Sequence, residues 1–91
     1  FYWKQKEWAA AERRYELAIE EFPSSPLMPK ARFRRGLCLW ELSLLADDEA
    51  DREALRANAV LLVKAVAASE DGSRLGRSAS AFLARHSLNG N

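Results

Sequence analysis

Residues 11 to 23 read Ala11-x3-Tyr15-x2-Ala18-x4-Pro23, and no other feature limits the fold of this chain so tightly. Positions 11, 15 and 18 are separated by four and three residues, so on a helix their side chains share one face. Small residues at 11 and 18 let a second helix approach closely. The aromatic ring between them fills the space that such a pair leaves. Pro23 has no backbone N–H and its ring collides with the preceding turn, so the helix stops there. A helix with a shaped contact face and a firm stop predicts an antiparallel helical hairpin.

The rest of the chain repeats this theme. The spacing predicts a stub over Phe1 to about Gln5, a short turn at Lys6-Glu7, and a helix from about Glu7 to Glu21. Trp8, Ala11, Tyr15, Ala18, Ile19 and Phe22 form the apolar face of that helix. A third segment runs from Pro26 or Pro29 to Leu45, with Ser25 as its expected N-cap. It carries two apolar stripes, one of Phe33, Leu37, Trp40 and Leu44 and one of Leu39, Leu42 and Ala46, so it expects neighbours on both sides. Its seam with the preceding helix is expected at Ala11, Tyr15, Ala18, Leu39 and Leu42. An acidic loop at residues 46–51 leads to a helix over about 51–69, with its stripe at Leu55, Ala59, Leu62 and Val66. Glu70-Asp71-Gly72-Ser73 reads as a stop and a new cap. A last helix over 74–85 puts Leu75, Ala79, Phe82 and Leu83 inward, and Ser87 to Asn91 reads as a frayed tail. The expected fold class is all-α.

Composition closes off several classes. Apolar residues make up 48% of the 91, enough for a folded domain. The formal charge of +1 is far from the strongly basic balance of a typical nucleic-acid-binding domain, so no nucleic-acid partner is expected. The single cysteine, Cys38, excludes an internal disulfide and a cysteine-rich zinc site, and between Leu37 and Leu39 it reads as a small buried hydrophobe. No apolar run approaches the roughly 18 residues of a membrane span. Phe1-Tyr2-Trp3 reads as the end of a helix rather than a natural N-terminus, so the chain is expected to be a fragment.

The pattern Ala11, Tyr15, Ala18 and Pro23, with Tyr2 nine residues earlier, resembles the second half of a tetratricopeptide (TPR) repeat. On that resemblance the fold is a TPR-like stack of antiparallel helical hairpins, an α-solenoid fragment that starts inside a repeat. Residues 1–25 end one repeat, 26–69 form a degenerate second repeat, and 73–86 supply a capping helix. The linker from Phe22 to Ala31 is longer than a standard repeat connection. It resembles the linker of the lipoprotein subunit of the outer-membrane β-barrel assembly machinery, the BamD family. Phe1-Tyr2-Trp3-Lys4, Ala10-Ala11, Arg14-Tyr15-Glu16 and the run Glu53 to Leu61 are similar to the closing repeats of that family. The similarity covers about residues 1 to 62. Arg35 stands where the repeat has a leucine, and Arg32 where a large apolar residue is usual. The resemblance implies a non-catalytic protein–protein interaction scaffold at the periplasmic, inner face of the outer membrane, and leaves room for a lipid anchor upstream of Phe1.

Catalytic chemistry finds little footing in these residues, and no cofactor or metal is expected. His86, the one histidine, has no partners at ligand spacing and follows Arg85 at a helix end, where a cation favours the dipole. The run Asp47-Asp48-Glu49-x-Asp51-x-Glu53 has alternate carboxylates but lacks the glycine of a calcium loop. Ser78 and Ser80 have no base nearby. Lys30, Arg32, Arg34 and Arg35 spread around the helix rather than forming one patch. Trp8 reads as core.

In TPR folds the first helix of each pair lines the concave surface. The matching positions here are Lys30, Phe33, Leu37, Trp40 and Glu41, and these are the expected binding residues for a protein or peptide partner. The same stripe would be core if it packs on other helices. The alternative role is an architectural cap on a larger protein whose active domain lies elsewhere.

Overall fold

The computed structural model describes residues 2–86, with side chains from residue 4 onward. It consists of four helices: α1 (Tyr2–Glu21), α2 (Met28–Leu45), α3 (Glu49–Ser69) and α4 (Arg74–Arg85), with no strand among the described residues. The expected tail over 87–91 lies outside the described residues, as do the side chains of Phe1, Tyr2 and Trp3. None of the helices is long and apolar enough to cross a membrane.

Consecutive helices pack on each other, and α2 also brushes α4, but among the described residues the α1 backbone packs against neither α3 nor α4. A closed four-helix bundle would bring its first and last helices together. This molecule is instead an open stack, a slab of 36 × 34 × 17 Å. The α1–α2 pair is antiparallel, because Arg35 reaches Glu12 and Glu16 while Gln5 reaches Leu45. α2 and α4 run parallel, with Lys30 and Phe33 beside Arg74 at one end and Trp40 beside His86 at the other.

Three expected boundaries move. The stub and turn at Lys6-Glu7 do not form, and α1 is continuous from Tyr2 to Glu21. Gln, Lys and Glu are good helix formers, and nothing in Gln5-Lys6-Glu7 offers turn chemistry. Ser25 is not the N-cap of α2. That position falls to Leu27, with Pro29 in the first turn, and the Ser25 hydroxyl instead accepts from the Leu27 N–H at 3.2 Å in a local turn. The loop before α3 is also shorter than expected, and Glu49 and Asp51 sit in the first turn of α3, where carboxylates favour the dipole.

The core lies where α2, α3 and α4 meet. Leu39, Trp40, Ala59, Val63, Val66, Ala79, Phe82 and Leu83 form one buried cluster. Leu39 thus belongs to this core and not to the α1 seam. Phe82 and Leu83 are buried as α4's spacing requires, with Arg74, Arg77 and Arg85 exposed. Gly36 sets the α2–α3 distance: a Cβ built there would lie 2.9 Å from Val63 Cγ2 and 3.3 Å from the Ala59 carbonyl oxygen. Gly72 supplies the positive φ, +84°, that ends α3. Ser73 then caps α4 by accepting from the Gly76 N–H at 3.0 Å.

Gly36→Ala should therefore lower the melting temperature. Alanine gains about 1 kcal/mol of helix propensity, but Val63 is fully buried and stiff, and overpacking costs about 1–3 kcal/mol. A raised melting temperature would show that α2 and α3 are not in close contact at Gly36.

Candidate functional site

α1 is tied to α2 largely by polar reach. The Arg35 guanidinium donates to Glu12 at 2.7 Å and to Glu16 at 3.3 Å, and Gln5 donates to the Leu45 carbonyl at 2.7 Å. Glu12 and Glu16 are one helical turn apart, so a single arginine meets both. α1 lies close along α2, yet no described side chain of α1 is fully buried.

The result is a groove of about 520 Å³ floored by α2 and walled by α1 and α4. Trp8, Ala11 and Tyr15 form one wall. Leu37, Cys38, Glu41 and Leu44 make the floor, and Phe82, Arg85 and His86 the other wall. A smaller hollow of about 380 Å³ continues the groove toward the N-terminal ends of α2 and α4, between Lys30, Phe33, Arg34 and Leu37 on one side and Arg74, Leu75 and Ser78 on the other. Leu37 and Arg34 line both compartments.

The five residues expected to bind a partner divide into three groups. Lys30, Phe33 and Leu37 line the upper hollow, with Lys30 exposed and the other two half-buried. Glu41 is half-buried in the lower groove. Trp40 shows only an edge to the groove and is otherwise core, 7% exposed. Its ring meets Phe82 edge-on at 5.5 Å and His86 at 4.7 Å, with the Arg56 guanidinium 5.0 Å from the ring centre. Trp40 is therefore a bridge between α2, α3 and α4 and not an exposed anchor.

Trp8 is corrected in the opposite sense: expected as core, it is half-exposed in the groove wall. Leu44, exposed at 62%, and Arg34, Arg74 and Arg85 are further lining residues that the sequence reading did not place in the site. A readable signal existed for Trp8, because it shares the 8, 11, 15 face with Tyr15. Placing Arg74 and Arg85 required knowing that α4 lies parallel to α2.

Cys38 is buried in the groove floor. Burial pushes its thiol pKa up, Glu12 adds to the rise, Arg14 partly offsets it, and Glu41 raises it further. A thiol held protonated is a poor nucleophile. His86 ends α4, its backbone N–H donating to the Phe82 carbonyl at 3.2 Å, and its ring lies tilted against those of Trp40 and Phe82. No group of histidine, cysteine and carboxylate side chains among the described residues is placed to hold a metal ion.

A second, wider depression of about 670 Å³ opens between α1 and the start of α3. Its floor is Ala9, Leu42, Ala54 and Leu55, and Asp47, Asp48 and Asp51 stand at its rim. Among the described residues it offers a partner no aromatic surface, whereas interface anchors are typically aromatic side chains and arginines. The α2 groove has both.

Two outcomes follow from this geometry. Trp40→Ala should lose about 3–5 kcal/mol of stability, read by denaturant unfolding; a loss below about 1 kcal/mol would mean that Trp40 is not in the core. Alkylation of Cys38 by iodoacetamide should be slow in the folded chain at pH 8 and fast once it is unfolded. Because the raised pKa favours the folded state only while the thiol is protonated, stability should fall as pH climbs above the ordinary thiol range. Fast labelling of the native chain at pH 8 would contradict the buried placement.

Compared with known proteins, the chain matches no family model, no curated protein and no solved structure.

Proposed function

We propose that this chain is a non-catalytic protein-binding scaffold, a TPR-like stack that holds a peptide or a partner's loop in the groove over α2. One observation carries the reading: Trp8 and Tyr15 stand half-exposed across from α4, above an apolar floor that includes the largely exposed Leu44. Folding alone does not call for two aromatic rings and a leucine around an open channel. Concave sites lined by apolar and aromatic groups with a few polar ones are where ligands bind. The state of the titratable groups supports binding over catalysis: Cys38 is held as a thiol, and His86 is engaged with two aromatic rings.

The resemblance of residues 1 to 62 to the barrel-assembly lipoprotein family gives this proposal its specific form, a scaffold of the bacterial envelope. A signal sequence ending at a lipidated cysteine, found upstream of Phe1, is the check on that part. The architectural-cap reading has its own support in the exposed Leu17 and Phe22 at the α1 edge, where a further helix would cover apolar surface.

The test uses two leucines of like exposure on different faces. Leu44 lies in the groove and Leu61, 70% exposed, lies on α3 beside Lys64. Peptides are selected from a displayed random library on the folded wild-type chain, and their affinities are measured by fluorescence anisotropy. Leu44→Glu should weaken them at least about tenfold, the scale of one lost apolar anchor of about 1.4 kcal/mol. Leu61→Glu should leave them unchanged. Selection of no peptide that depends on Leu44 would remove the groove from consideration.

A further inference from the structure

Charge is segregated across this nearly neutral chain. Four cationic side chains, Lys30, Arg34, Arg74 and Arg85, line the two compartments of the α2 groove, against one carboxylate, Glu41. The depression by α1 and α3 carries Asp47, Asp48 and Asp51 against Lys6. All four groove cations are exposed, and none forms an ion pair with another described residue. The neighbouring Arg35, by contrast, binds two carboxylates. Lys30 and Arg34 are one turn apart, an unfavourable like-charge spacing, and Arg74 faces them across the hollow. α2 and α4 both begin at this end, so two helix dipoles add positive potential where the cations already cluster.

Resting on the binding role proposed above, we infer that the occupant is an acidic peptide segment with an apolar anchor. Its carboxylates lie at the Lys30–Arg34–Arg74 end, and its apolar side chain lies between Trp8, Tyr15, Leu37 and Leu44. From Lys30 to Leu44 the floor runs about 21 Å at ~1.5 Å per residue. That length takes roughly six residues of extended chain, so acidic and apolar positions fall about three residues apart. The exposed cations speed encounter, select against basic segments and add to the affinity that the aromatic wall and the leucines also supply.

The test sequences the peptides selected on the wild-type chain and measures them against charge variants. Aspartate and glutamate should be enriched on one side of an aromatic or aliphatic residue. Arg34→Glu/Arg74→Glu should weaken binding at least about tenfold, and raising sodium chloride from low to high concentration should weaken wild-type binding in the same direction. Lys64→Glu on α3 makes the same kind of charge change away from the groove and should have no effect. Circular dichroism checks folding, and Arg34→Gln/Arg74→Gln replaces the reversed pair if that pair unfolds. Neutral or basic peptides that depend on Leu44 but ignore both charge variants would overturn this inference and leave the binding role standing. Absence of any Leu44-dependent peptide would overturn both.

Discussion

The close contact of Gly36 with Val63 and Ala59 is the constraint from which the rest of this stack follows. A side chain at that point would push α2 off α3. With none, the two helices lie near enough for Leu39 and Trp40 to reach a core shared with α4. Trp40 then fixes α4 through Phe82 and His86 and touches α3 through Arg56. One glycine and one tryptophan, four residues apart on α2, thus settle how three helices are arranged, and they do so by shape complementarity more than by hydrophobic area alone.

α1 is attached differently, because none of its described side chains is fully buried and two of its glutamates pair with Arg35. The α2–α3–α4 contact encloses the buried core, whereas the α1–α2 contact is also close but adds Arg35 with Glu12 and Glu16 and Gln5 with the end of α2. These groups are partly exposed and screened, so each ion pair adds on the order of 1 kcal/mol or less. Their value is geometric: they fix the register of α1 on α2, with Trp8 and Tyr15 beside the groove. The same α2 that is core on its α3 side is therefore open on the other, with Cys38 and Leu37 as floor.

The helices themselves were legible in the sequence, because Pro23, Ser73 and Gly72 punctuate segments of clear helical period. The double apolar character of α2 correctly announced neighbours on two sides. What could not be read was which stripe faced which neighbour. Trp40 and Leu44 are four residues apart on one stripe, yet Trp40 is buried and Leu44 is exposed, because α4 covers only part of α2. Arg35, which departs from the leucine of the resembled repeat, faces Glu12 and Glu16 across the α1–α2 contact. Trp8 was placed in the core on periodicity, but periodicity gives a face and not the distance to the next helix. The turn expected at Lys6-Glu7 does not form, because Gln5, Lys6 and Glu7 all favour helix and none supplies turn chemistry.

The central claim is that the face of α2 between α1 and α4 is the binding surface and the outer face of α3 is not. Amide chemical-shift mapping of the folded chain, titrated with a selected peptide, tests this directly. The predicted result is a continuous set of shifts at Trp8, Tyr15, Lys30, Arg34, Leu37, Leu44 and Arg74, with the amides of Ala57, Leu61 and Lys64 unmoved. Shifts centred on Ala57, Leu61 and Lys64, or on Asp47, Asp48 and Asp51, would contradict it.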